Sequence, residues 1–190
     1  GSMDTRIGTS GITAMGVAVS IGMYLADKNK GPFKDCWMNF STRPKLRVLV
    51  GDIAQKYQSM YGNDDWHGST NLHAAFDLIL NTAVKGNVKE EDMPKYLLIM
   101  SDMQFNCCLQ YDDSAIEMIA RKYAAAGYQL PKVVFWNINA RDNAPVSFNT
   151  QGTALVSGFS PTIVKSILSG NDLTPEAVML TTIMVDRYKL

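Results

Sequence analysis

The sequence predicts an α/β protein with a doubly wound, mostly parallel sheet and helices on both faces. Predicted strands and predicted helices alternate along the chain, which is typical of this class. Most of the strands are continuously apolar, as expected for strands that are covered on both faces. The 190 residues suit a single domain with its own core, in which residues 1–12 form a polar N-terminal loop.

Helices are predicted where apolar side chains recur at helical spacing, and strands where short apolar runs are bounded by turn residues. Gly86 ends the strongest helix, and Thr174 followed by Pro175 begins the last one. The predicted order is helix 13–29, strands 36–41 and 46–50, helices 52–61 and 70–85, strand 96–101, helix 113–126, strands 132–138 and 153–158, and helices 161–169 and 174–188.

Composition excludes several classes of protein. The 18 basic and 18 acidic residues balance, so no overall positive field attracts nucleic acid. No apolar run reaches the roughly 18–20 residues that span a bilayer, and the N-terminus lacks the pattern of a signal peptide. The three cysteines are an odd number, which favours free thiols in a reducing compartment. We therefore expect a cytoplasmic protein without membrane contacts.

The segment "YLLIMSDMQF" (96–105) indicates a candidate binding site at one edge of the sheet. Its apolar run indicates a strand buried on both faces, and the run stops at Ser101-Asp102. Ligands of open α/β sheets bind beyond the carboxyl ends of the strands. Ser69 and Thr70, at the start of the long helix, add hydroxyl oxygens, and Mg²⁺ prefers such oxygen ligands. Helix capping by the hydroxyls and a turn role for Asp102 remain open alternatives.

Other catalytic and nucleotide-binding motifs are absent from the sequence. It contains no GxGxxG, GxxxxGK[ST] or GxSxG pattern, so neither a nucleotide cradle nor an α/β-hydrolase elbow is supported. His67 lies near the same end as the polar groups, although a local hydrogen bond in a loop is the favoured explanation for it. The residues thus indicate binding rather than catalysis.

Six blocks of the sequence together resemble a known family. The chain resembles the von Willebrand factor A-like (vWA) domain of an uncharacterised family known from plants, bacteria, phages and large viruses. More remotely, it resembles the A-like domain of the Ro autoantigen proteins. The matching blocks, in order, are "AVSIGMYLADKNKGPFKD", "FSTRP", "HGSTNLHAAFDLILNTAVK", "LLIMSDMQF", "VVFWNINAR" and "GTALVSGFSP".

The resemblance implies a metal-ion-dependent adhesion site (MIDAS). Its pattern is Asp-x-Ser-x-Ser after the first strand, then a threonine and then an aspartate, which match Thr70 and Asp102. Ser2 matches the last serine if Gly1-Ser2-Met3 is the tail of the first motif. Alternatively, Gly1-Ser2 is a cloning scar before a start methionine, or the segment Gly8–Ile12 is a degraded motif.

Under each of these interpretations the leading aspartate and its strand are missing. That strand would be central in the sheet, beside strand 96–101, and its loss would leave an apolar slot. We expect another chain, another segment or the missing part of a longer protein to fill the slot. The metal affinity should be weak, because one anionic ligand is gone.

For function, the resemblance implies a non-catalytic, metal-dependent protein-binding module with Mg²⁺ (or Mn²⁺ or Ca²⁺) at an incomplete MIDAS-like site. The protein partner would offer an acidic side chain to the metal. The alternative is an accessory domain of an RNA-associated, Ro-like particle, in which RNA is bound only by the larger assembly. A metal-dependent hydrolase is less favoured.

Overall fold

The computed structural model describes residues 2–6, 11–39, 41–62, 71–101, 113–138 and 153–157, together with residues 180 and 184. Every helix and strand predicted between residues 13 and 158 is present, within a few residues of its predicted bounds. The predicted helices 161–169 and 174–188 lie outside the described residues, apart from those two positions. The helices are α1 (Ala14–Lys28), α2 (Ile53–Tyr61), α3 (Leu72–Lys85) and α4 (Asp113–Ala125), and the strands are β1 (Cys36–Met38), β2 (Leu46–Val48), β3 (Tyr96–Ser101), β4 (Lys132–Asn137) and β5 (Thr153–Ser157).

Local side chains determine where three of the helices begin. The side chains of Thr13, Asp52 and Asn71 each accept a hydrogen bond from the backbone N–H three residues later, at 3.0, 2.8 and 3.0 Å. Such caps satisfy backbone donors that have no partner inside the helix. At α2 the cap is reciprocal, since the Gln55 side chain accepts from the Asp52 N–H at 2.9 Å.

The described strands form two separate sheets. Strands β3, β4 and β5 make a parallel sheet in that order, with Tyr96 opposite Lys132 and Val133 opposite Thr153. Strands β1 and β2 make an antiparallel hairpin. The protein is therefore a mixed α/β domain. Among its described strands, the parallel pairing is confined to the sheet of β3, β4 and β5.

Helices cover both faces of the parallel sheet. Alternate side chains of β3 and β4 enter two different clusters, as expected from the period of two in a strand. The first cluster joins the sheet to α3 and α4 and contains Leu97, Ile99, Val133 and Phe135. The second joins it to α1 and contains Leu98, Met100, Trp136 and Ile138.

The hairpin lies in the same layer as the parallel sheet. Cys36 and Met38 of β1 pack against the cluster of α3 and α4, whereas Trp37 packs on the opposite side, with α1 and α2. A side chain at Gly22 of α1 would meet Met60 of α2 at 3.1 Å and Met100 of β3 at 3.3 Å. Helix α1 therefore covers one face of both sheets, and α3 covers the other.

Burial in β3 differs from the expectation. We expected strand 96–101 to be buried on both faces, but Ile99 alone is buried and the other five residues are half-buried. In β4, by contrast, all residues from Val133 to Asn137 are buried. The reason is position, because β4 is central among the described strands and β3 lies at an edge. The apolar run correctly predicted contacts on both faces but not the degree of burial.

Replacing Tyr123 by phenylalanine should reduce stability by about 1–2 kcal/mol at neutral pH. Tyr123 is fully buried on α4, donates a hydrogen bond to the Phe76 carbonyl at 2.8 Å and packs edge-to-face on the Phe76 ring. Burial, with a smaller contribution from Asp77, raises the pKa of Tyr123 far above its ordinary value of 10.0. Because burial raises this pKa, the Tyr123 hydroxyl contributes fully to the free energy of unfolding below about pH 10. That contribution declines as the pH rises further.

Urea denaturation of Tyr123→Phe, at pH 7 and above about pH 10, tests this expectation. The matched control is Tyr24→Phe, since the Tyr24 side chain is exposed on α1. Equal stability losses at the two positions would contradict the role of the buried hydroxyl.

Candidate functional site

The carboxyl ends of the parallel strands define the candidate site. Strands β3, β4 and β5 end at Ser101, Asn137 and Ser157, which lie at the same edge because the strands are parallel and in register. The predicted ligand Asp102 follows Ser101 directly but lies outside the described residues.

The start of α3 lies towards the same edge. Thr70 is outside the described residues, but the next residue, Asn71, is the N-cap of the helix. Helix α3 is about as long as β3, roughly 20 Å each by their rise per residue. The Tyr128 hydroxyl, just before β4, donates to the Val88 carbonyl, just after α3, at 2.7 Å. The end of α3 therefore lies near the start of the sheet, and its beginning reaches towards the carboxyl ends of the strands.

Ser2 is the one predicted ligand within the described residues. It begins a short 3₁₀ turn, Ser2–Asp4. The neighbouring Met3 packs against the cluster that contains Trp136 and Ile138, and Ile138 directly follows the carboxyl end of β4. Met3 thus packs between α1 and the parallel sheet. The spacing of Ser2, Thr70 and Asp102 involves residues outside the described set.

Buried polar side chains are concentrated at strand ends. Within the described ranges, the buried polar residues are Asn39, Ser41 and Asn137, which follow or end β1 and β4. The side-chain oxygen Oδ1 of Asn39 accepts a hydrogen bond from the Lys45 N–H at 3.1 Å and so shapes the turn of the hairpin. Sequence reasoning missed Asn39, whose signal is a polar residue directly after the apolar run of β1.

A second group missed by sequence reasoning joins α3 to α4. His73 Nδ1 lies 3.1 Å from Asp77 Oδ2, and Lys122 Nζ lies 3.0 and 3.1 Å from the two oxygens of the same carboxylate. His73 Nε2 is buried without a hydrogen-bond partner. The i,i+4 spacing of His73 and Asp77 was the available sequence signal. The carboxylate orients the imidazole, and its link to Lys122 bridges the two helices.

The sequence segment that contains the predicted ligands Thr70 and Asp102 is acidic. Residues 61–130 hold ten acidic and five basic side chains, although the whole chain is neutral. An acidic surrounding attracts cations and repels phosphate groups. Within the part that the structure describes, no three His, Cys, Asp or Glu side chains meet in a group that could hold a metal. In the same part of the chain, no helix is both long and apolar enough to cross a membrane.

The architecture defines the chain as a mixed α/β domain with a parallel sheet covered by helices on both faces. It belongs to a family described as a domain of unknown function, DUF7788, whose model matches residues 1–186. The chain is also 32% identical over 169 residues to an uncharacterised protein of Acanthamoeba polyphaga mimivirus. That match covers 87% of this chain and 30% of the viral protein, so the chain spans less than a third of its relative's length.

Proposed function

We propose that the chain is a non-catalytic, metal-dependent protein-binding module of the vWA type, with an incomplete MIDAS-like site. A Mg²⁺ ion (or Mn²⁺ or Ca²⁺) would be held by Thr70, Asp102 and Ser2, and an acidic side chain of the partner would complete its coordination. The fold would be the doubly wound sheet of that class. The observation that supports the proposal is that β1 and β3 each present an edge to which no described strand pairs, while both strands pack against the same helical clusters.

The direction of the backbone groups in β3 identifies its edge. The N–H groups of Lys132 and Ile138 donate to the carbonyls of Lys95 and Ser101, at 2.9 and 3.0 Å. In a parallel ladder, odd-numbered residues of β3 therefore pair with β4. The backbone groups of Leu98 and Met100 consequently point away from β4, and no described residue pairs with them.

The hairpin offers a second edge of the same kind. The Leu49 N–H donates to the Asp35 carbonyl at 2.8 Å, so the groups of β1 that point away from β2 belong to Cys36 and Met38. Strand β1 is the inner strand of the hairpin, since Trp37 is buried against α1, whereas Val48 of β2 is exposed. The edge of β1 at Cys36 and Met38 and the edge of β3 at Leu98 and Met100 thus lie beneath the same helices.

The surroundings of the gap between β1 and β3 define what can fill it. Apolar clusters line both faces, so every residue of an added strand would meet apolar side chains. A continuously apolar strand fits these conditions. Another chain or another segment of a longer protein is a suitable source, because the viral relative extends far beyond the matched region.

An accessory role in a Ro-like, RNA-associated particle is the alternative. The remote resemblance favours it, whereas the neutral chain and the acidic stretch 61–130 oppose direct binding of RNA. We expect this chain alone to bind structured RNA weakly, with a shallow dependence on salt. Tight binding that falls steeply with salt in a filter-binding assay would favour the alternative instead.

A metal-dependent hydrolase is less favoured. It requires a base near Asp102, and His67 is the residue that the sequence offers there. The structure shows another histidine, His73, as a possible base, but its Nε2 atom is buried and so does not face a substrate. Phosphatase and nuclease screens with Mg²⁺ or Mn²⁺ should show no activity, and sustained turnover in either screen would contradict the binding function.

Removing the metal ligands should abolish Mg²⁺ binding. We expect isothermal titration calorimetry to detect weak Mg²⁺ binding to the unmodified chain and none to Asp102→Asn or Thr70→Ala. The first variant removes the negative charge of a ligand, and the second removes a ligand oxygen. Asp27→Asn is the control, since Asp27 is an exposed carboxylate that pairs with its neighbour Lys28. Unchanged binding in both ligand variants would contradict the metal site, and equal partner affinity with and without EDTA would contradict metal dependence.

A further inference from the structure

The outer edge of the hairpin carries a cluster of exposed apolar side chains. Val48, Val50 and Ile53 are 60, 75 and 77% exposed, and they lie within six residues of one another. Single exposed apolar residues are normal on protein surfaces, but neighbouring ones mark binding surfaces. This cluster lies beside β2, on the side of the hairpin away from β1 and the gap described above.

The backbone at this edge is also available for pairing. In the segment that contains β2, the backbone groups of residues 45, 47 and 49 pair with β1, as the hydrogen bond from the Leu49 N–H to the Asp35 carbonyl indicates. The N–H and C=O groups of Leu46 and Val48 therefore point outwards. No other described strand pairs with β2. Proteins commonly protect such edges with charged residues. Here the residues whose backbone groups point outwards, Leu46 and Val48, are apolar, and the charged residues alternate with them.

Basic side chains occupy the alternate positions. Arg43 and Lys45 are exposed, and the half-buried Arg47 lies over the Trp37 ring at 6.0 Å. No acidic residue occurs from Cys36 to Gly51. Since side chains alternate along a strand, Val48 and Val50 lie on one face of the edge and Lys45 and Arg47 on the other. The edge is thus apolar on one face and basic on the other.

We propose that the outer edge of β2 binds an extended segment of a partner protein in which apolar and acidic residues alternate. The partner backbone pairs with Leu46 and Val48. Its apolar side chains contact Val48 and Val50, and its acidic side chains lie opposite Lys45 and Arg47. The proposal is independent of the metal site and of the gap between β1 and β3, because it uses the opposite edge of the hairpin.

Fluorescence polarisation with labelled peptides tests the proposal on the full 190-residue chain. The probes are a peptide of alternating valine and glutamate, a peptide of alternating valine and lysine, and a valine–glutamate peptide with central prolines. We expect only the first to bind, with affinity that falls as salt is added. Its addition should also slow hydrogen exchange at the amides of Leu46 and Val48.

Two variants separate the apolar and the charged contributions. Lys45→Glu should weaken the valine–glutamate peptide about five-fold, as expected for loss of one cross-strand ion pair and its replacement by repulsion. Val48→Asp should abolish binding. Val84→Asp is the matched control, because Val84 is an exposed valine on α3, and it should leave binding unchanged.

Three results would overturn the proposal. The first is equal binding of the glutamate and lysine peptides, and the second is unchanged exchange at Leu46 and Val48 in the presence of the bound peptide. The third is a dimer, seen by light scattering, that Val48→Asp dissociates. That result would make a second copy of the chain the occupant of this edge.

Discussion

Replacing Phe135 by alanine is expected to lower the free energy of unfolding by about 3–5 kcal/mol. Phe135 is fully buried in the central strand β4, where its ring contacts the cluster formed by α3 and α4. Its removal loses the transfer free energy of the ring and leaves a cavity that the flanking helices fill incompletely. Because domains of this size are stable by only about 5–15 kcal/mol, a large part of the protein's stability depends on this residue.

Equilibrium denaturation in urea measures the effect of Phe135→Ala. Met118→Ala on α4 is the control, because Met118 is exposed and its truncation should change stability by less than about 0.5 kcal/mol. A loss below about 1 kcal/mol at Phe135 would contradict its place at the centre of the core.

Trp37→Ala is expected to destabilise the whole domain by a comparable amount, about 3–5 kcal/mol. Trp37 is buried in the hairpin between α1 and α2, and the Arg47 guanidinium lies over its ring. Helix α1 also packs on the parallel sheet. If the hairpin and the sheet form one layer under shared helices, loss of this contact must weaken both.

Hydrogen exchange resolves the two possible outcomes of Trp37→Ala. In a single cooperative unit, protection falls together at the amides of β1 and of β4. Loss of protection restricted to β1 and β2 would mean that the hairpin is an independent appendage, and the gap between β1 and β3 would then have no structural significance. The matched control is Tyr61→Ala on α2, whose ring is partly exposed and stacks on Tyr57.

The order of elements was predictable because its signals are local. The caps at Thr13, Asp52 and Asn71 and the apolar periodicity of α3 are contained in short segments. The position of each strand in the sheet was not predictable, since it depends on pairing between distant segments. The apolar run of β3 indicated a strand buried on both faces, yet β3 lies at an edge among the described strands and only its Ile99 is buried.

The candidate site was predictable only in part, for the same reason. The polar residues after β3 and β4 could be placed at one edge because parallel strands share their carboxyl ends. The burial of Asn39 and the link from His73 through Asp77 to Lys122 depend on tertiary packing between separate segments. Thr70, Asp102 and Ser2 remain predictions from the sequence, and the structure adds only that Met3, the neighbour of Ser2, packs in the cluster between α1 and the parallel sheet.

Amide hydrogen exchange in β3, measured by NMR, tests the central claim that this module accepts a strand between β1 and β3. In the free chain, the amides of Leu97 and Ile99, which face β4, should exchange on the order of 100-fold more slowly than those of Leu98 and Met100. Adding a peptide of six consecutive valine and isoleucine residues, flanked by lysines for solubility, should slow Leu98 and Met100. Equal protection of all four amides in the free chain, or no change on adding the peptide, would contradict the claim.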